Sequence, residues 1–158
     1  EHRLDHLSGT DRRMSGTALH RWSAPSLRTA MTDSVSSGFR FGRIAVMLPV
    51  ADMARACDFY IGALGFRKTF ENGNPVGFMI LKRDAAELHL TLQPGHKAAP
   101  FNVAHMMVED IEAVHAIVRE RGLRIVKGMR DKDYGLRAFV FEDPDGNRID
   151  VGEPLKRA

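Results

Sequence analysis

The chain has 158 residues, 44% of them hydrophobic and 27% charged, and a formal net charge of +3. That composition fits one globular domain or two small fused modules, with ample material for a core. No apolar run approaches the ~18 residues of a membrane span, and basic residues interleave with acids instead of forming the one-sided patch that a nucleic acid needs. The single cysteine, Cys57, excludes an internal disulfide, so nothing points to an oxidising compartment, and a cytoplasmic setting is expected.

Residues 1–38 are rich in Ser, Thr, Arg and His, lack sustained periodicity, and hold no acid from Arg12 to Thr32. They read as an N-terminal leader or arm, either disordered or docked through Trp22, the only tryptophan; the acid-free stretch is also similar in composition to a transit peptide. The domain proper is expected over 39–158. Residues 43–50 are β-rich. Asp52 then stands where a carboxylate caps the first free N–H groups of a helix. Met53, Ala56, Cys57, Tyr60 and Leu64 follow as a helical stripe, and Gly65 ends it as a residue free to take positive φ. Strands are predicted at about 66–71 and 76–82, joined through Asn72-Gly73-Asn74-Pro75, and at about 86–92.

The same order then returns. A strand at 101–108 leads to Asp110 as helix cap, Ile111, Val114, Ile117 and Val118 form the buried stripe, and Gly122 stops the helix. Strands follow near 123–127, 137–142 and 147–152. The last two are joined by Asp143-Pro144-Asp145-Gly146-Asn147, a three-residue hairpin loop with Gly146 in the left-handed position. That loop sets Val140 opposite Asp150 and Glu142 opposite Arg148. Val50 and Asp52 recur as Val108 and Asp110, and Gly65 as Gly122. The expected fold class is therefore α+β: two tandem βαβββ modules, about 43–93 and 101–152, that bury their apolar faces together.

Three segments carry a family resemblance: LPVADMARACDFYIGALGF (48–66), the Val108-Glu109-Asp110 helix entry, and YGLRAFVFEDPDGNRIDVGE (134–153). The pattern resembles the vicinal oxygen chelate superfamily of glyoxalases, bleomycin-resistance proteins and extradiol dioxygenases, and within it the bleomycin-resistance-like branch. The resemblance implies cupped mixed sheets with helices on the outside, a cavity where modules pair, and pairing across two chains as a homodimer. In metal-dependent members it also implies ligands at the positions held here by Ala45, Val103 and Asp150, with Glu87 or His89 able to stand for a further one. Alanine and valine have no donor atoms, and a lone carboxylate does not hold a divalent ion against water. No metal or other cofactor is therefore expected. If a metal is present, its ligands would be His89, His105 and Asp150.

Strand alternation assigns the concave faces. Leu88, Leu90 and Leu92 should pack on a helix, leaving Glu87, His89 and Thr91 in the cup. Ala104, Met106 and Val108 should face a helix, leaving Val103, His105 and Met107. Met47 from the first strand, and Val140 and Asp150 from the last hairpin, complete the set, with Tyr134 as a rim aromatic. The candidate ligand-binding residues are thus Met47, Glu87, His89, His105, Met107, Tyr134, Val140 and Asp150: an adaptable apolar wall with a few polar anchors. Each has a plainer reading. Either histidine can be a hydrogen-bonded strand residue, Glu87 a solvated strand-end acid, and Asp150 the partner of a base such as Arg137.

No catalytic constellation emerges from the residues. The reading is a non-catalytic protein that binds and sequesters a small organic ligand, with no nucleic-acid or membrane partner. The rival is a metal-dependent lyase, isomerase or dioxygenase with an atypical site and one divalent metal ion. A third possibility is an interaction domain whose cavity serves a protein partner.

Overall fold

A computed structural model describes Gly38 and residues 40–156; the predicted leader, including Trp22, lies outside the described residues. The chain divides between Arg40 and Phe41, and every described element belongs to the second unit, Phe41–Ala158. The first module comprises β1 (Val46–Val50), α1 (Met53–Cys57), a π-helical turn (Asp58–Ala63), β2 (Arg67–Asn72), β3 (Phe78–Arg83) and β4 (Ala86–Leu92). The second comprises β5 (Asn102–Met107), α2 (Ile111–Glu120), β6 (Ile125–Asp131), β7 (Leu136–Glu142) and β8 (Arg148–Pro154).

Each module folds into a four-stranded mixed sheet, in the orders β1-β4-β3-β2 and β5-β8-β7-β6. In both, the first strand pairs parallel to the last and the remaining pairs are antiparallel. The repeat visible in the sequence is therefore a repeat of topology. Local signals place the elements. Asp52 accepts from the Arg55 N–H at 3.0 Å, and Asp110 from the Ala113 N–H at 3.2 Å, so both act as N-caps. Gly65 and Gly122 end the helical segments at φ of +70° and +65°, where a side chain would be strained.

One local expectation fails. The first helical segment is not a regular α-helix: the Leu64 N–H bonds to the Phe59 carbonyl five residues back. This wider turn breaks the 3.6-residue period and buries Phe59 and Tyr60 side by side. A stripe drawn at α-helical spacing finds Tyr60 and misses Phe59.

The helical segments lie opposite the concave faces, outside the cups, and from there join the modules. Phe59 meets Phe141 of β7 edge-on at 5.9 Å, and one buried cluster unites Leu48, Leu81 and Leu90 with Phe139, Phe141, Ile149 and Val151. The loop between β7 and β8 is a polar latch across the same junction. The Tyr60 hydroxyl donates to Asp143 at 2.7 Å, the Ala51 N–H to Asp145 at 2.9 Å, and the Asn147 amide to the Pro49 carbonyl at 2.9 Å. Gly146 takes φ +80° and its N–H returns to the Asp143 carbonyl, closing the expected three-residue loop. A motif read as a hairpin turn thus also ties one module to the other.

Candidate functional site

With the hydrophobic rows turned to the helices, the opposite rows are left for the cups. In the first sheet, register sets Met47, His89, Ile80 and Phe70 side by side across β1, β4, β3 and β2. Phe78 meets His89 at 5.5 Å and Phe70 at 6.2 Å, both edge-on. Met47 is 62% exposed. This face is an aromatic and thioether surface around one imidazole. Phe70 and Phe78 were not singled out from the sequence; carrying the alternation from β4 through β3 to β2 would have found them.

In the second sheet the corresponding row is His105, Asp150, Val140 and Lys127 across β5, β8, β7 and β6. Met107 follows two residues after His105 on the same side. Met107 is half exposed, whereas Val140 is only 4% exposed and forms floor rather than open wall. Tyr134, in the β6–β7 turn, is 66% exposed at the rim.

Each cup contains one histidine held by a carboxylate. His89 Nε2 lies 2.8 Å from Glu87 Oε1, and His105 Nδ1 lies 3.1 Å from Asp150 Oδ2. The surroundings differ. Glu87 is not a solvated strand-end acid: its side chain is 7% exposed, with Arg43 at 2.8 Å and Lys82 at 3.0 Å. Burial pushes its carboxyl up. The hydrogen bonds from His89 and Lys82 and the nearby positive charges outweigh that and hold it below the ordinary glutamate value. Lys82 stands opposite Glu87 in the tight β3–β4 hairpin, a pairing readable once the turn is placed at Asp84-Ala85. Asp150 has His105 as its partner and not Arg137, which is engaged by Asp131 and Glu112. Arg137 alternates onto the helix side of β7, so parity keeps the two apart.

The two clusters sit on different sheets, and no hydrogen bond or ion pair joins Glu87 or His89 to His105 or Asp150 among the described residues. No three His, Cys, Asp or Glu side chains among those residues converge as a metal site would require. Of the positions where the fold family implies metal ligands, Ala45 and Val103 offer no donor. This donor set does not fit a divalent ion.

The remaining described histidines and the cysteine also have defined surroundings. His96 bonds Asn147 Oδ1 at 3.1 Å and supports the latch. His115 is half-buried with its ring edge-on to Phe139 at 5.0 Å. Cys57 is partly buried with its Sγ 3.5 Å from Met79 Sδ, and burial raises its thiol pKa, the opposite of what a reactive cysteine needs. A groove of about 820 Å³ runs between the modules on the helix side, lined by Leu64, Phe66, Ala86, Met106, Val114 and Ile117.

A pair of four-stranded mixed sheets, each built βαβββ, defines a protein of the glyoxalase-like class. The model of the glyoxalase/bleomycin resistance protein/dioxygenase superfamily matches residues 40–151, and the chain belongs to that superfamily. No functionally curated protein matches the chain. Among solved structures it is similar to a glyoxalase family protein from Enterococcus faecalis, with 27% identity, 72% of this chain and 98% of that one covered, and a TM-score of 0.59. It is similar to TnmS3, an antibiotic binding protein from Streptomyces sp. CB03234, with 25% identity, 73% and 99% covered, and a TM-score of 0.55. It shares the fold of a bleomycin resistance determinant encoded on the transposon Tn5, with 22% identity, 72% and 98% covered, and a TM-score of 0.60.

Proposed function

We propose that the protein binds a small, largely apolar or aromatic organic molecule without transforming it, in cups completed by a second copy of the chain. The observation that carries this reading is the character of the concave rows. Met47, Phe70 and Met107 are large apolar side chains left open to solvent, beside one carboxylate-held imidazole in each sheet. An apolar wall with a few oriented polar groups is the usual composition of a small-molecule site. Met47, His89, His105, Met107, Tyr134 and Asp150 are the proposed contacts, Val140 forms floor, and Glu87 orients His89. The likeness to an antibiotic binding protein supports a ligand of drug-like chemistry.

Two arguments favour a homodimer. Each sheet in a single chain is only half of an enclosure, and exposed apolar faces of this kind are commonly covered by association. The edge strand β2 also leaves backbone groups unpaired on one side. Facing a first-module cup with a partner's second-module cup would bring Met47 and His89 opposite His105 and Asp150, a mixed set that neither sheet has alone. No helix among the described residues is long and apolar enough to cross a membrane. A cytoplasmic, dimeric binding protein is the resulting proposal.

The test is a thermal-shift screen of aromatic and cationic-aromatic compounds, with light scattering on the same sample. A true ligand at a hundredfold excess over its dissociation constant should stabilise the protein by about 2.7 kcal/mol. His105→Ala should weaken that response without unfolding the chain. A monomer at micromolar concentration, or no stabilising compound at all, would favour an interaction domain instead.

A further inference from the structure

The cup face of β6 carries two bases that simple alternation would not place together. Lys127 stands opposite Val140 and Arg130 opposite Ala138, so the two pairs are three residues apart on β6 and two apart on β7. This bulge sets Met129 against the core and brings Arg130 round to the face of Lys127. Val140 in turn stands opposite Asp150, and Ala138 opposite Gly152. Both bases therefore belong to the concave face that holds His105 and Met107.

Neither base is neutralised within the protein. Both are exposed, and neither has an ion-pair partner among the described residues. The acids around them are engaged elsewhere. Asp131, next in sequence to Arg130, lies on the opposite face and binds Arg137. Glu142 is held by Arg124 and Arg148, and Asp150 pairs with His105. The first-module cup supplies no compensating acid. Glu87 is neutralised by Arg43 and Lys82, and Arg67, opposite Lys82 on β2, is exposed and without an ion-pair partner among the described residues. Two such cups facing each other enclose a surplus of positive charge between apolar walls, and such a cleft concentrates anions.

We propose that the ligand of the cups is an aromatic carboxylate, with its carboxylate held by Lys127 and Arg130 and its rings laid across the second sheet toward Met107. This inference rests on the reading of the protein as a small-molecule binder and adds the charge and size of the ligand. Arg130 presents a planar fork that can pair both carboxylate oxygens, and Lys127 adds a point charge on the same face. Size follows from strand spacing. From β6 to β5 there are three interstrand steps of about 4.8 Å, or roughly 14 Å along the sheet. A single ring held by the bases falls short of Met107, whereas two or three fused rings reach it. Val140, Ala138 and Gly152 form the floor between, with no polar side chain to interrupt it. A cationic ligand in the same place would meet two like charges.

The experiment compares three probes of one skeleton by calorimetry on the full chain: 2-naphthoate, the neutral 2-naphthamide and the cationic 2-naphthylmethylammonium. The carboxylate should bind roughly tenfold more tightly than the amide, as hydrogen bonds to charged groups imply, and the cation should bind most weakly. Added salt should erode the advantage of the carboxylate and leave the amide unchanged. Lys127→Gln/Arg130→Gln should bring the carboxylate down to the affinity of the amide, with an unfolding midpoint close to that of the parent. Arg119→Gln/Lys97→Gln removes two exposed bases that lie off the cup rows, on α2 and in the β4–β5 loop. That variant has the same net charge and should keep the preference. Equal affinities for carboxylate and amide in the parent, or a preference that survives Lys127→Gln/Arg130→Gln, would overturn the inference and leave the binder reading intact. Binding of none of the three would overturn it as well. A neutral or cationic hit in the thermal-shift screen would then still uphold the binder reading, and an empty screen would remove both.

Discussion

The two modules share one frame and differ in what they place on it. By register, Met47 and His89 of the first sheet stand where His105 and Asp150 stand in the second. On the helix side the two agree: Leu48, Leu88 and Leu90 in one, Ile149, Val151 and Phe139 in the other, all buried. On the cup side they diverge. The first module surrounds its acid, Glu87, with Arg43, Lys82 and His89, so the charge is neutralised within the protein. The second gives Asp150 one ion-pair partner among the described residues, His105, and leaves it partly exposed. Duplicated topology constrains the face that packs and leaves the other face free to specialise.

The largest expected effects lie where the modules agree. Leu90→Ala should cost roughly 2–5 kcal/mol and Phe141→Ala about 3–5 kcal/mol, as for other buried side chains of these sizes. Because Phe59 meets Phe141 across the junction, each variant should lower one common unfolding transition instead of splitting it. Denaturant melts that resolve two transitions would show that the modules are separable.

Next comes the latch. Burial and the neighbouring Asp143 charge drive the Tyr60 hydroxyl well above its ordinary pKa, so it stays a donor. Burial raises the Asp143 pKa despite the hydrogen bonds it accepts from Tyr60 and Asn147. Tyr60→Phe removes a hydrogen bond to a buried carboxylate and should destabilise by about 1.5–3 kcal/mol. It should also raise the Asp143 pKa further, measurable by carboxyl NMR; an unchanged value would place the hydroxyl elsewhere.

The frame was legible in the sequence because its causes are local. Asp caps, glycine stops and alternating leucines each act within a few residues, and all reappear in the fold. The facing of His105, Asp150 and Met107 followed from the same alternation. What was not legible depended on distant partners or broken periods. The π-turn hid Phe59, and buried Glu87 draws one of its charge partners, Arg43, from far off in sequence. The latch joins Asp145 to Ala51 and Asn147 to Pro49, contacts no local pattern announces. Phe70 and Phe78 were within reach, since register alone places them beside His89.

A pH titration separates the two acids. The folded Glu87 pKa lies below its ordinary value, so its ionisation stabilises the fold above the unfolded-state pKa. That contribution is lost as pH falls through the folded value. Asp143 is shifted the other way, so its ionisation opposes folding, and acidification relieves that penalty first. Glu87→Gln should be less stable than the parent at neutral pH, and the gap should close in acid. A gap that stays constant with pH would mean that Glu87 contributes packing and not charge.

The smallest effect on folding is expected where the modules differ most. His105 is half exposed and its two contacts, Asp150 and Met107, are themselves open to solvent on the cup side. Its removal leaves no buried charge unpaired, so His105→Ala should change stability by no more than about 0.5 kcal/mol, as for most surface substitutions. His89→Ala should cost more, because it takes one hydrogen-bonding partner from an acid that is 7% exposed and removes the ring packed on Phe78. The ratio of these two losses, measured by chemical denaturation at neutral pH, reads directly how far the cups have diverged. Equal losses would mean that the second-module histidine is as structural as the first. That outcome would remove His105 from the proposed ligand contacts and leave the binding role to Met47, Met107 and the rim residue Tyr134.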